Sequence, residues 1–335
     1  MIGQLDRIRN SERGDFKRCM RRWWWGWVEG LVPTGVAEPD ALWFGTGVHL
    51  ALANWYRPPT KGKYKGDGTR RGVDPRDTWR DYCKDEVRYI KSIKPKTDGN
   101  LWTTAEELGQ AMLGGYLELY GKDESWEIIG PEYTFAVRIP DRNGKPLVVC
   151  NGTFDIVYRD LQDGLIKIEE TKTAKVIDTG HLTLDDQAGT YWAIASTILR
   201  KEGVLKGKQR IAGIEYNFLR KALPDDRPVD ENGQSLNKDG SVSKTQRSPL
   251  FERHFVRRSA RERNTQIRRI ADEYEHMKAV KDGQLPILKT PRQSGFDACR
   301  GCPFFEMCEL HEQGLDWEGY RDMMFEETDK YADHR

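Results

Sequence analysis

Between Ile128 and Lys172 the chain carries three runs of alternating apolar and polar residues, Ile128 to Ile139, Pro146 to Tyr158 and Leu165 to Lys172, separated only by DRNG and DLQDG. Asn-Gly and Asp-Gly between such runs are strong hairpin signals, because the tight turns that match strand twist need positive φ at their central residues. Three consecutive antiparallel strands are therefore expected. A chain with this meander at its middle must arrange its other elements around a sheet.

Helical spacing dominates the residues before it. Asp6 to Val32 reads as one helix with Trp23, Trp24, Trp25 and Trp27 near its end, and Phe44 to Tyr56, Asp77 to Ile93 and Ala105 to Leu119 read as three more. Between the second and third lies RPPTKGKYKGDGTRRGVDP, an exposed Pro/Gly/Lys/Arg loop suited to contact with phosphates. After the meander, Leu184 to Leu199 returns to helical spacing. Arg210 to Leu219 and Phe251 to Val256 read as strands that pair around a polar insertion, Leu223 to Pro249, and Ser259 to Lys281 reads as a long charged helix. The organisation that follows is an N-terminal helical region (1–125), a core (126–220), a hairpin insertion (221–250) and a C-terminal strand, helix and cysteine tail (251–335).

With 335 residues, 37% of them hydrophobic, the chain is long enough for a substantial core. No apolar run approaches the roughly 20 residues that cross a bilayer. The charged start, MIGQLDRIRNSERGDFKR, lacks the apolar stretch of a secretory signal. No membrane association and a cytoplasmic location are expected. Because 54 basic residues face 53 acidic ones, a nucleic-acid partner must be argued from where charge falls. Two clusters qualify: Arg7, Arg9, Arg13, Lys17, Arg18, Arg21 and Arg22, and then Arg253, Arg257, Arg258, Arg261, Arg263, Arg268 and Arg269. Either could equally be a solvated helix face.

Chemistry concentrates in Gly152-Thr-Phe-Asp155 and Ile166-Lys-Ile-Glu169-Glu170-Thr171-Lys172. Side chains alternate along a strand, so Glu170 and Lys172 share one face while Glu169 and Thr171 take the other. If the DLQDG turn pairs the two strands, Asp155 lies within reach of Glu170, and two carboxylates side by side make an oxygen-rich site for Mg²⁺ or Mn²⁺. Such an ion with a lysine beside it suits phosphodiester hydrolysis. A slip of one residue would exchange Glu169 for Glu170, and Glu132 is another acid able to approach the site.

These residues, together with Gly45-Thr-Gly-Val-His49 before them and Gln187-Ala-Gly-Thr-Tyr191 after them, make the chain resemble the PD-(D/E)XK nuclease superfamily, in particular its RecB- and AddB-like branch. The resemblance implies a restriction-endonuclease-like α/β fold, a central mixed sheet flanked by helices. It implies a metal shell of His49, Asp155, Glu170 and Thr171, with Asp155, Glu170, Lys172 and His49 as the catalytic set. Gln187 and Tyr191 would present a polar face to the active site or the DNA. The activity it implies is a DNA exonuclease or end-processing enzyme of replication, recombination or repair, with a recombination or replication protein as a further partner.

Cys299-x2-Cys302-x5-Cys308 is a compact trio lacking a fourth ligand, which Cys19 can supply. Four thiolates suit zinc or an iron-sulfur cluster, and the resemblance favours a 4Fe-4S cluster that joins the helical N- and C-terminal segments. Joining Cys19 to Cys299 would close a loop worth roughly 5 to 6 kcal/mol on the chain-entropy relation. Cys83 and Cys150 read as buried thiols. Two alternatives stand beside the nuclease: a catalytically silent DNA-binding module of the same fold in a recombination or CRISPR-adaptation complex, and a zinc-binding nucleic-acid adaptor.

Overall fold

The structure, a computed structural model, describes residues 5–34, 39–93, 99–284 and 296–331, leaving out the side chains of 86–93, 99–100 and 296–297. In chain order the first elements are β1 (Arg7–Ile8), α1 (Asn10–Arg18), α2 (Met20–Trp23), a π-helical turn (Trp24–Val28), β2 (Leu31–Pro33), α3 (Ala41–Trp55), α4 (Pro75–Ile93) and α5 (Gly99–Tyr120). Then come β3 (Trp126–Pro140), β4 (Pro146–Asp160), β5 (Ile166–Ala174), α6 (Asp186–Lys201), β6 (Ile214–Arg220) and β7 (Phe251–Val256). The chain ends in α7 (Ala260–Lys281), α8 (Phe296–Cys299), α9 (Phe305–Gln313), α10 (Trp317–Met324) and β8 (Phe325–Glu327).

The sheet is mixed, as expected. Strands run in the order β1, β4, β5, β6, β7, with β3 also on β4. β4 and β5 are antiparallel, β5 and β6 parallel, and β6 and β7 antiparallel. The parallel pair requires a crossover, and α6 supplies it. Turn chemistry fixes the hairpins: Gly144 and Gly164 take φ of 81° and 70°, where a side chain would be strained. β5 is buried along Ile168, Glu169, Glu170 and Thr171, so both faces of this strand are covered.

The chain divides into two units, each discontinuous in sequence. One holds residues 37–133 and 153–258. There α3, α4 and α5 pack through Trp43, Phe44, Trp79, Tyr82 and Trp102, with Trp43 stacked on Tyr82 at 5.1 Å between ring centroids. Helix starts are capped: the Asp40 carboxylate accepts from the Trp43 N–H and that of Asp185 from the Ala188 N–H. Arg253 and Asp123 form an ion pair at 2.6 Å with both side chains largely buried, and Tyr56 and Tyr116 hydrogen-bond into it.

The other unit holds residues 1–36, 134–152 and 259–335. Here the single helix expected over Asp6 to Val32 is corrected. The chain is extended at Cys19 (φ −166°, ψ 118°), and the tryptophan run coils as a π-helical turn. Trp23 and Trp25 are both buried to within 1%. Residues two apart point to nearly opposite sides of a regular helix, and the two rings seek separate surroundings: Trp23 packs edge-on against Phe16, Trp25 against Phe304 and Trp317. Ser259 opens α7 with a capping box to Glu262.

Much of the arginine content is internal stitching. Arg13, 1% exposed, pairs with Glu273 at 2.6 Å, Arg22 with Asp15 at 2.7 Å, and Arg18 donates to the carbonyls of Ala298 and Arg300. In the first unit, Arg258 donates to the Leu182 and Asp185 carbonyls. Cys83 and Cys150 are buried, and burial pushes their thiols up to about 12 and about 11.

Candidate active site

Every candidate catalytic residue belongs to the unit of residues 37–133 and 153–258. The β4/β5 register pairs Ile156 with Glu169 and Val157 with Ile168, so one step further Asp155 stands opposite Glu170. The Thr171 backbone N–H donates to Asp155 Oδ2 at 2.8 Å, fixing that carboxylate against β5. Lys172 Nζ donates to Glu170 Oε1 at 2.6 Å and to Gln187 Oε1 at 2.7 Å. Gln187 Nε2 in turn donates to the Tyr191 hydroxyl at 3.0 Å, and that hydroxyl donates to the Thr153 carbonyl at 2.7 Å. Glu170, Lys172, Gln187 and Tyr191 are thus one hydrogen-bonded group, with Asp155 tied to β5 beside it.

Alternation along β5 separates the two neighbouring glutamates. Glu169 turns to the other face, where its Oε1 accepts from the Thr171 hydroxyl at 2.8 Å. Of Thr171, the backbone N–H donates to Asp155 while the hydroxyl is turned to Glu169. Burial, then the charge of Asp155, pushes the Glu169 pKa up to about 8.

α3 brings His49 to the carboxylates. Its Nδ1 lies 3.3 Å from Asp155 Oδ2, and 31% of its side chain is exposed. Burial disfavours the imidazolium, yet the Asp155 carboxylate outweighs it and the pKa rises to about 9. Glu132 on β3 joins them: one ligand atom each from His49, Glu132 and Asp155 lies within 4.8 Å of the others. Burial and Asp155 also raise the pKa of Glu132. It belongs to none of the four motifs, and the sequence offered it as another acid able to approach the site.

The electrostatics call for a cation. Glu170 is 2% exposed, and its Oε2 is buried without a hydrogen-bond partner. Its pKa is raised by burial and by the facing Asp155. Burial opposes the charge of Lys172, but Glu170 more than compensates and the amine's pKa is raised. Carboxylates, an imidazole and an unsatisfied buried oxygen are the donor set of a hard or borderline divalent ion, so these residues fit Mg²⁺ or Mn²⁺.

The cysteines are in the other unit. Cys19, Cys299, Cys302 and Cys308 line one pocket with Arg21, Arg22, Trp25 and Phe304, and none is in a disulfide. Arg21 Nη1 donates to Cys308 Sγ at 3.0 Å and to Glu312 at 2.7 Å. The expected ligand cluster is corrected in one respect: no three of these sulfurs come within 4.8 Å of one another, so they are not drawn together as around a single ion.

Fold and site define a restriction-endonuclease-like α/β protein with an acidic, lysine-bearing centre on adjacent strands of a mixed sheet. The family model of the PD-(D/E)XK nuclease superfamily matches residues 10–309, and the chain belongs to that superfamily, whose members are generally metal-dependent nucleases. No curated protein matches the sequence. No helix among the described residues is long and apolar enough to cross a membrane.

Proposed function

We propose that the protein is a Mg²⁺- or Mn²⁺-dependent deoxyribonuclease of the RecB- and AddB-like branch, acting on DNA ends as an exonuclease in replication, recombination or repair. The observation that carries this reading is the Lys172 to Glu170 contact on the strand position facing Asp155. A divalent ion held by Asp155, Glu170 and His49 would neutralise charge growing on the scissile phosphate and lower the pKa of a bound water. The chain's own groups do the positioning. Thr171 N–H holds Asp155, while Tyr191 and Gln187 hold the Lys172 amine from the α6 side. With its pKa raised, Lys172 enters the reaction as an ammonium, suited to orient the attacking water and to stabilise the phosphate's charge.

DNA contact is supported by the loop after α3, where Lys61, Lys63 and Lys65 are exposed and Arg70 lies 4.2 Å over the ring of Tyr64. Cations interleaved with an exposed aromatic ring match a nucleic-acid strand.

A 4Fe-4S cluster on Cys19, Cys299, Cys302 and Cys308 belongs to the same reading. Four thiolates about 2.3 Å from one zinc ion would stand about 3.8 Å apart. A cluster ligates each sulfur through a different iron, and what supports this reading is that the four thiols line one pocket. The Arg21 guanidinium donates to Cys308 Sγ from the rim of that pocket.

The test is end-labelled single- and double-stranded DNA incubated with purified protein. Degradation with Mn²⁺ or Mg²⁺, its absence in EDTA, and its loss in Asp155→Ala are expected; full activity of Asp155→Ala removes the assignment. Protein purified without oxygen is expected to be brown and to contain iron, whereas a colourless zinc protein refutes the cluster.

A further inference from the structure

Glu132 has a backbone that glutamate seldom adopts. Its φ is +48°, and among the described residues only Asp123 is another non-glycine with positive φ. For an L residue this left-handed region costs roughly 1 to 2 kcal/mol, and where it occurs glycine, asparagine and aspartate usually carry it. Glutamate cannot easily offset the cost through short-range hydrogen bonding to its own backbone.

Glu132 lies inside β3 (Trp126–Pro140), and a residue in the left-handed region breaks the regular pleat at that point. Strand irregularities next to functional sites can re-aim a side chain. The carboxylate delivered by this irregularity stands with His49 and Asp155, all three ligand atoms within 4.8 Å. The same three residues line one open groove along α3. Two carboxylates at that spacing repel unless a cation lies between them, and the buried, unpartnered Oε2 of Glu170 marks the same neighbourhood as short of positive charge.

We infer that Glu132 is a ligand of the divalent cation, held in place by a strained left-handed residue in β3. The inference rests on the proposed divalent-metal nuclease and adds to it a ligand outside its four sequence motifs. A site with one imidazole and two close carboxylates from three separate elements binds the ion through α3, β3 and β4 together. Strain at Glu132 is then retained because metal binding uses the carboxylate it positions.

Two substitutions separate the parts of this claim. Glu132→Gln keeps the side chain's size and the backbone's conformation but removes the charge. Glu132→Gly removes the carboxylate and also relieves the backbone. Mn²⁺ titration by calorimetry and thermal melts in EDTA and in Mn²⁺ are the readouts, independent of DNA cleavage. Wild type is expected to bind Mn²⁺, and both variants to bind it at least tenfold more weakly, with a smaller Mn²⁺-induced rise in Tm. In EDTA, Glu132→Gln should melt with wild type and Glu132→Gly should melt higher. Wild-type affinity in Glu132→Gln overturns the ligand assignment. Weakened binding confined to a less stable Glu132→Gly would show a purely structural residue and also overturn it. Failure of wild type to bind Mn²⁺ would instead remove the metal reading, and the inference with it.

Discussion

Lys172 Nζ sits 2.6 Å from one oxygen of Glu170 while the other oxygen of that carboxylate is buried and unpartnered. The lysine therefore satisfies half of a buried acid and leaves the other half for a cation. This asymmetry decides what each group can do: the amine is held charged by the carboxylate, and the carboxylate remains open on its far side.

Lys172→Ala should accordingly lower kcat by about 10²–10³-fold, the usual loss when one preorganised charge-stabilising donor is removed. DNA affinity should stay within a few-fold of wild type. With the amine gone, the main offset to the burial of Glu170 is lost and only His49 still opposes it, so the carboxyl pKa should rise further and metal affinity near neutral pH should fall. Single-turnover cleavage and DNA-binding titrations check this, and cleavage at the wild-type rate would refute the role of Lys172.

His49 links metal binding to pH. Its folded pKa of about 9 exceeds its ordinary value of about 6.5, so the protonated ring stabilises the metal-free fold fully below about pH 6.5 and that stabilisation is lost as pH rises through about 9. A metal ion needs the neutral ring and competes with this proton. Mn²⁺ affinity should rise from pH 6.5 to 9, by up to about tenfold per pH unit from this group, and then level off. In His49→Gln that share of the slope should vanish. Calorimetric titrations across this range decide it, with a pH slope unchanged by the substitution as the refuting result.

Lys61, Lys63 and Lys65 are exposed on the loop after α3. If they meet phosphates, replacing all three with alanine should weaken DNA binding and flatten its dependence on log salt, by about 0.9 for each phosphate no longer neutralised on duplex and about 0.7 on single strand. Anisotropy titrations at several salt concentrations read both. An unchanged slope would place the DNA elsewhere.

Local chemistry was legible in the sequence, and so was the pairing of β6 with β7 across the polar insertion, but distant side-chain partners were not. Asn143-Gly144 and Asp163-Gly164 announced their turns because positive φ is a property of a residue and its neighbour, and Ser259 with Glu262 announced α7 in the same way. The placement of Glu170 and Lys172 on one face followed from strand alternation alone. By contrast, Arg13 finds Glu273 260 residues away, and nothing in a charge run says which members are committed to such partners. The break at Cys19 is masked by good helical spacing on either side of it, and burial of Trp23 and Trp25 on different surfaces overrides that spacing. Glu132 carries no motif, so the sequence offered it only as another acid able to approach the site; the positive φ that marks it out is not displayed in a sequence.

Two glycines of the Gly45-Thr-Gly-Val-His49 segment make opposite predictions. A Cβ on Gly47 would lie 2.5 Å from Tyr82 Cε1 and 2.6 Å from Trp79 Cζ3, inside a packed aromatic cluster. The Tyr82 ring is also tied down, its hydroxyl donating to the Trp43 carbonyl at 3.1 Å. Gly47→Ala should therefore destabilise the protein by about 1–3 kcal/mol, as overpacking does. Because His49 is two residues further along α3, the shift needed to admit the methyl group should weaken Mn²⁺ binding as well. A Cβ on Gly45 would meet only Thr173 Oγ1 at 3.5 Å, an ordinary contact. Alanine there gains up to about 1 kcal/mol of helix propensity over glycine, so Gly45→Ala should be neutral or stabilising. Denaturant melts of the two variants give the comparison, and equal stability would mean that α3 and α4 do not cross as closely as Gly47 requires.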